Sequence, residues 1–425
     1  MAGNPMFSRG LERNILLFYV FRFLREAQVW MPVWVVFLTL DQGFTLAEVT
    51  AADGLFFLAV VLLEVPTGAV ADRWGRSRSV ALGSLAMVFA LTAFAFTTSF
   101  PILLLSFGIW AVAVTLMSGA DLALLYDTLK ALGREHEYER HAGRGEAALW
   151  IGAAAATLLG GPLAAMTSVQ FTIFCGVGVT ALSGLIAFAM VEAPHKGQEK
   201  TAGESYLRTV TTGLRFAWND RPMRWLVLLG GAIGASLSAA MYLVQPLLLD
   251  RGVKVGVLFS SLQVPQLLLG AVGALFVAAL LRKAGEVAVV TGVVVAGVAA
   301  YAGLATVPTL AAFAFIPVIA MLESAMMPLT TGYVNRRAPS DQRATILSLE
   351  SLSRGLFIAP LGPVVGAVAD ARGVEWAFGT LGVALSIGAL IFAPLWFRAH
   401  WRRGDDPLVP PQAVSVALGA AADGP

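Results

Sequence analysis

Twelve apolar stretches of membrane-spanning length run along this chain, separated by short polar and charged turns. They lie approximately at 14–39, 48–71, 79–97, 101–127, 144–166, 169–191, 222–249, 255–281, 286–306, 309–334, 344–369 and 374–397. A helix needs about 20 apolar residues to cross a bilayer, so the alternation predicts an all-α membrane protein with twelve transmembrane helices. Several stretches contain proline (Pro32, Pro66, Pro162, Pro265, Pro317, Pro328, Pro360, Pro363). Inside a membrane these read as kinks, because neighbouring helices can satisfy the backbone groups that proline frees.

Charge placement orients the helices. The loops on one side hold only Arg251, Lys254 and Arg372, and most of the other basic residues gather on the opposite side. By the positive-inside rule the basic side is cytoplasmic. This predicts a multi-pass protein of the plasma or inner membrane with both termini inside. Of the 425 residues, 57% are hydrophobic and only 13% charged. A soluble domain carries about 25% charged residues, so a water-soluble globule is excluded. Arg22, Arg25 and Glu26 interrupt the first apolar run, which therefore reads as a retained helix and not as a signal peptide. Cys175, the only cysteine, cannot form an intramolecular disulfide. The excess of arginine over lysine, with abundant alanine and glycine, points to a bacterial source.

The longest inner loop divides the chain. We expect an N-terminal six-helix bundle at 1–191 and a cytoplasmic linker with a short interfacial helix at 192–221. A C-terminal six-helix bundle follows at 222–397, then a disordered cytoplasmic tail at 398–425. The halves echo each other weakly. Gly68, Asp72, Arg73 and Gly75 have a worn copy in Gly273, Arg282, Lys283 and Gly285, and Gly161-Pro162 has a counterpart in Gly362-Pro363.

The sharpest motif is the turn Gly68-Ala-Val-Ala-Asp72-Arg73-Trp-Gly75-Arg76-Ser-Arg78, set between two apolar runs. It resembles the signature loop between helices 2 and 3 of the major facilitator superfamily of transporters. Leu63-Glu-Val-Pro-Thr-Gly68 and Ser118-Gly-Ala-Asp121, with Leu-Leu-Tyr126-Asp127, resemble bacterial drug-exporter-like members. The stretch Gly152…Gly160-Gly161-Pro162-Leu-Ala-Ala165 is similar to the glycine-proline motif of exporters, with alanines replacing its last glycines. The resemblance implies two pseudo-symmetric six-helix bundles, alternating access around a midplane cavity, and a gating role for Asp72, Arg73, Arg76 and Asp127.

Charges inside a bilayer are costly and mark candidate functional sites. At ~1.5 Å per residue Glu26 sits roughly 18 Å deep. Arg22 and Asp121 lie at matched depths on the first and fourth helices, which predicts that they pair. Arg25 lies beside them. Glu323 falls near the midplane of the tenth helix, in Met321-Leu-Glu323-Ser-Ala-Met326-Met327-Pro328. Glu26 and Glu323 are the candidates for binding and releasing a proton. Glu350 and Arg354 share one helix face, and Glu64 at comparable depth is expected to reach Arg354 as an inner latch. Trp30, Trp34, Trp110, Tyr242, Gln245, Phe313 and Phe315 are expected to line an aromatic cavity suited to lipophilic or amphipathic compounds.

These features predict a monomeric secondary transporter, not an enzyme. Its partners are a small-molecule substrate, coupling protons and the lipid bilayer, with no nucleic acid and no cofactor. Proton-coupled efflux, an antiport of multidrug type, is the leading expectation. Uptake of a small organic anion on Arg22 or Arg25 and lipid translocation stay open. His136 and His141 sit in a loop dense with both charge signs, and no metal site is expected.

Overall fold

The computed structural model describes residues 5–192, 215, 218–337 and 343–401. Most of the expected linker at 192–221 and of the tail at 398–425 lies outside the described residues, as does the side chain of Asp72. Eleven helices among the described residues are long and apolar enough to cross a membrane, and the shorter apolar helix Val257–Gly270 stands in the eighth place. The first span runs from Pro5–Glu26 through a non-helical break to the turns Met31–Val33, Trp34–Val36 and Phe37–Asp41. The second and third are Leu46–Trp74 and Arg76–Ala95. The fourth joins Phe100–Met117 to Ala120–Ala131, and the fifth and sixth are Tyr138–Met166 and Val169–Phe188. The seventh joins Arg221–Ser238 to Met241–Asp250. The eighth begins at Val257–Ser261 and continues into the helix Val264–Thr306, which turns at Gly285 (φ 77°) and so also supplies the ninth. The tenth to twelfth are Phe315–Arg337, Arg343–Arg372 and Val374–Trp401.

The spans form two pseudo-symmetric six-helix bundles. Across the junction the second span packs on the eleventh, the fifth on the eighth, and the second half of the first on the seventh. Advancing each position by six turns the second–eleventh contact into the eighth–fifth contact, so one pseudo-twofold relation covers the set. The seventh span is the most enclosed, with 83% of its apolar window buried against 28–44% for the others. It is therefore surrounded by protein and not by lipid.

Among the described residues the bundles meet at only one end. A Cβ placed on Gly366 of the eleventh span would lie 2.6 Å from the Ala47 backbone, and one on Gly54 would lie 2.9 Å from the Ala359 Cα. Toward the basic face the second and eleventh spans diverge. A Cβ on Gly355 sits 3.8 Å from the Phe57 carbonyl, and nothing lies within 4 Å of one on Gly68. Leu62, Glu64 and Pro66 are exposed along the gap. The molecule is thus closed on the face that carries Arg251, Lys254 and Arg372, and open on the arginine-rich face. Glycine makes the closure possible, since only a missing side chain lets two helix backbones approach this closely.

Substitution of Gly366 by leucine should overpack the closed end at a cost of ~1–3 kcal/mol. A lower melting temperature in detergent is the expected result. Gly178→Leu, where nothing lies within 4 Å, should leave it unchanged.

Candidate functional site: a broken first span and its ionised cluster

Pro32 has no N–H to bond the carbonyl four residues back, and the first span comes apart just before it. The helix stops at Glu26 and restarts as a tight turn at Met31–Val33. Breaking a helix in apolar surroundings frees carbonyls and amides that must find partners. Gln28 supplies the first set. Its Nε2 donates to the Arg25 carbonyl at 3.2 Å and to the Thr180 hydroxyl at 3.1 Å, while its Oε1 accepts from the Trp30 indole at 2.9 Å. The opposite bundle supplies the second. Gln245 of the seventh span accepts from the Val35 and Val36 amides at 2.9 and 3.3 Å and donates to the Met31 carbonyl at 3.0 Å. Gln263 beside the eighth span donates to the Pro32 carbonyl at 3.0 Å.

Glycines make room for this break. A Cβ on Gly145, Gly152 or Gly160 of the fifth span would strike Phe18, the Phe23 carbonyl and the Val29 carbonyl respectively. Gly176 of the sixth span lies under Trp30 and Gln28. The motif Gly160-Gly161-Pro162 therefore seats the first and eighth spans. Gly160 faces Val29 and Pro32, while the Gly161 amide donates to the Ser260 hydroxyl at 2.8 Å.

On the basic side of the break stands a cluster of five charges. Arg22 meets Asp121 at 3.1 Å, and Arg25 meets the same carboxylate at 3.3 Å. Arg22 also pairs with Glu146 of the fifth span, and Arg25 lies 3.7 Å from Glu26. Asp121 sits in the first turn of the helix that restarts after Gly119 (φ 71°), where the helix dipole adds to the two arginines in favouring its charge. Two cations thus face three carboxylates, and Glu26 is the most loosely held of the three. A cavity of about 600 Å³, its open mouth included, lies beside the cluster between the first, third, fourth and sixth spans. Its walls include Arg25, Glu26, Trp30, Trp110, Thr180 and Ser183.

Trp30 and Trp110 stack edge-on at 5.5 Å between ring centres. Trp34 turns away toward Phe107 and Tyr242. Tyr242 and Gln245, expected to line an open cavity, are instead spent on contacts between the bundles. The Tyr242 hydroxyl donates to Asp53 of the second span. Phe313 and Phe315 lie near the closed end, with the Phe315 ring against Gly303. In the C-terminal bundle Glu323 accepts from the Ser238 hydroxyl at 2.5 Å.

The expected latch between Glu64 and Arg354 is not formed. Arg354 pairs with Glu350 of its own helix at 3.2 Å, and Glu64 is exposed without an ion pair among the described residues. The reason is the divergence of the second and eleventh spans at this depth. At the basic face Arg76 meets Asp127 at 2.6 Å and donates to the Ala123 carbonyl at 2.8 Å. Arg73 is exposed.

Sequence reasoning missed several polar groups. Asp370, at the closed end of the eleventh span, accepts the Leu46 and Ala47 amides at 2.9 and 3.0 Å. The capping box of Thr45 and Glu48 completes that helix start. Glu192 caps the third span through the Arg76 and Ser77 amides at 2.9 and 2.8 Å. Glu286 follows the turn at Gly285 and pairs with Arg336 and Arg337. Asp53, Gln28 and Gln263 were visible as lone polar residues in or beside apolar runs, and that was the available signal.

The family model of the Major Facilitator Superfamily matches residues 15–360. The uncharacterized MFS-type transporter YxaM of Bacillus subtilis (strain 168) is 28% identical over 106 residues, 24% of this chain and 26% of that protein. The chain thus aligns with about a quarter of that relative's length. Among solved structures, a mutant of the nucleoside transporter NupG superposes with a TM-score of 0.79 at 15% identity, covering 90% of this chain and 99% of that one. A bacterial homolog of the human lysosomal transporter Spinster, inward-facing and unoccupied, superposes at 0.69 with 17% identity, covering 93% and 98%. An auto-inhibited POT family peptide transporter superposes at 0.68 with 14% identity, covering 92% and 97%. At these identities the likeness to solved structures concerns the fold alone. The family model, by contrast, spans most of the sequence, and the chain belongs to the Major Facilitator Superfamily of transporters.

Proposed function

We propose that this transporter is a proton-coupled exporter of small amphipathic compounds. The bundles 1–191 and 222–397 rock against each other, and substrate is taken up on the basic, cytoplasmic side of the cell membrane. One observation carries the reading. The cavity beside the broken first span joins an ionisable group, Glu26, to aromatic and hydroxyl walls, while both neighbouring arginines are already engaged by carboxylates. A surplus of negative charge at the cavity suits a proton or a cationic substrate better than an anion. Glu323, held by a serine hydroxyl with no arginine bonded to it among the described residues, is the second proton carrier. The glycine-proline motif of the fifth span supports export as the direction.

In this scheme Arg76 and Asp127 fix the loop between the second and third spans within its own bundle. Closing the basic face brings Asp72, Arg73, Glu64, Glu350 and Arg354 within reach of the other half. The protein works as a monomer and needs no cofactor.

Arg25 on the cavity wall favours a second reading, uptake of a small organic anion. Proteoliposomes containing a pH-sensitive dye separate the two. With a pH gradient imposed, tetraphenylphosphonium or ethidium should trigger proton movement, and benzoate should not. A response to benzoate alone, abolished in Arg25→Ala, would make anion uptake the function.

Glu26→Gln and Glu323→Gln should each lower transport driven by the pH gradient at least tenfold while preserving substrate exchange at equal pH. If the double variant keeps gradient-driven transport, neither residue carries the proton.

A further inference from the structure

Asp53 lies seven residues into the second span from Leu46, ~10 Å below the closed end at the rise of an α-helix. Its side chain accepts a hydrogen bond from the Tyr242 hydroxyl, which belongs to the other bundle. Among the described residues no ion pair reaches it. Asp121, Asp127, Glu286 and Glu350 each have an arginine, Asp220 caps a helix start, and Glu323 has the Ser238 hydroxyl.

The elements packed around Asp53 carry few other charges. The first half of the fourth span, Phe100–Met117, has no ionisable residue, and Asp121 and Asp127 of its second half are held by arginines. On the eleventh, Glu350 and Arg354 bond each other, and Asp370 is occupied by the amides that start the second span. The third span carries its charge at the basic face, where Arg76 holds Asp127. The first span ends in Asp41, exposed at the closed end. On the seventh, Asp250 pairs with Arg251 at the surface. Glu323 of the tenth is the other titratable group electrostatically close to Tyr242.

We propose that Asp53 is a proton-binding residue of the outer gate, and that closure of this end takes up a proton on it. Opening the gate separates the second span from the seventh, breaks the bond to Tyr242 and hydrates Asp53. Closing it removes that water and supplies one hydroxyl in return. A carboxylate stripped of water with no cation beside it is penalised more than one hydrogen bond repays, so the neutral acid is the form that closes. The step is a simple proton transfer: a proton from outer water binds a carboxylate oxygen, the gate shuts around the neutral acid, and the proton leaves to inner water. The inference rests on the proton-coupled reading given above and adds to it the group that links protonation to movement.

The test needs no substrate, so its failure is distinct from failure of the efflux reading. Spin labels on Gln42→Cys and Lys254→Cys, in a Cys175→Ser background in nanodiscs, report the distance across the outer end by electron–electron double resonance. From pH 5.5 to 8.5 the parent should pass from a mainly short distance to a growing long-distance fraction. Asp53→Asn should stay short throughout, with the pH response lost. Asp53→Glu should restore the response, which separates titration from mere structural damage. Tyr242→Phe should keep the pH response while enlarging the open fraction at every pH. A parent without pH response, or an Asp53→Asn profile that matches the parent, would overturn the proposal. If the response behaves as expected but no compound in the dye assay moves protons, the efflux reading fails and the gate assignment stands.

Discussion

The break in the first span governs the rest of this molecule. A membrane offers no water to backbone groups, so the carbonyls and amides freed near Pro32 must be satisfied by protein. Part of the demand is met locally by Gln28. The remainder is met across the junction by Gln245 and Gln263. The bundle interface is therefore not only an apolar contact that slides freely. It contains directed hydrogen bonds whose loss leaves helix backbone unpaired, and it closes one end of the molecule in a single register. The glycines at 152, 160 and 176 serve the same break, the first two by admitting the backbone at Phe23 and Val29 and the third by admitting the Trp30 and Gln28 side chains.

The two faces of the protein are built on different principles. At the closed face the contacts cross between bundles: Asp370 on the start of the second span, Tyr242 on Asp53, Ser260 on Gly161. At the basic face the ion pairs among the described residues stay within bundles, and they do so with inverted sign. In the N-terminal half the residue after the positive-φ Gly75 is Arg76, which meets Asp127. In the C-terminal half the residue after the positive-φ Gly285 is Glu286, which meets Arg336 and Arg337. The pseudo-symmetry thus preserves the turn and the pairing but exchanges the charges. With their partners found internally, these loops place no demand on the opposite bundle, and the basic face stands open.

Much of this was legible in the sequence. Apolar run length gave the spans, since lipid thickness sets helix length for every segment alike. Matched depth placed Arg22 against Asp121 because both lie on long helices of fixed rise. Depth alone failed for Glu64 and Arg354, because it carries no information about how far two helices splay, and splay is set by the conformational state. Tyr242 and Gln245 lie in the bundle contact here for a related reason. A polar residue on a central span serves the cavity in one state and the interface in another. The break itself was only half readable. Pro32 announced a kink, but the partners of the freed groups come from residues more than 200 positions away in the chain.

Hydrogen–deuterium exchange of the segment 29–41 addresses the hold of Gln245 on the first span most directly. In Gln245→Leu the Val35 and Val36 amides lose their acceptor. Exchange should then rise in 29–41, and also in 46–57 and 359–370, as the closed end loosens. Segments at the basic face should slow as the equilibrium moves. Unchanged exchange in 29–41 would mean that the break is stable without the opposite bundle, and that apolar packing alone keeps the closed face shut.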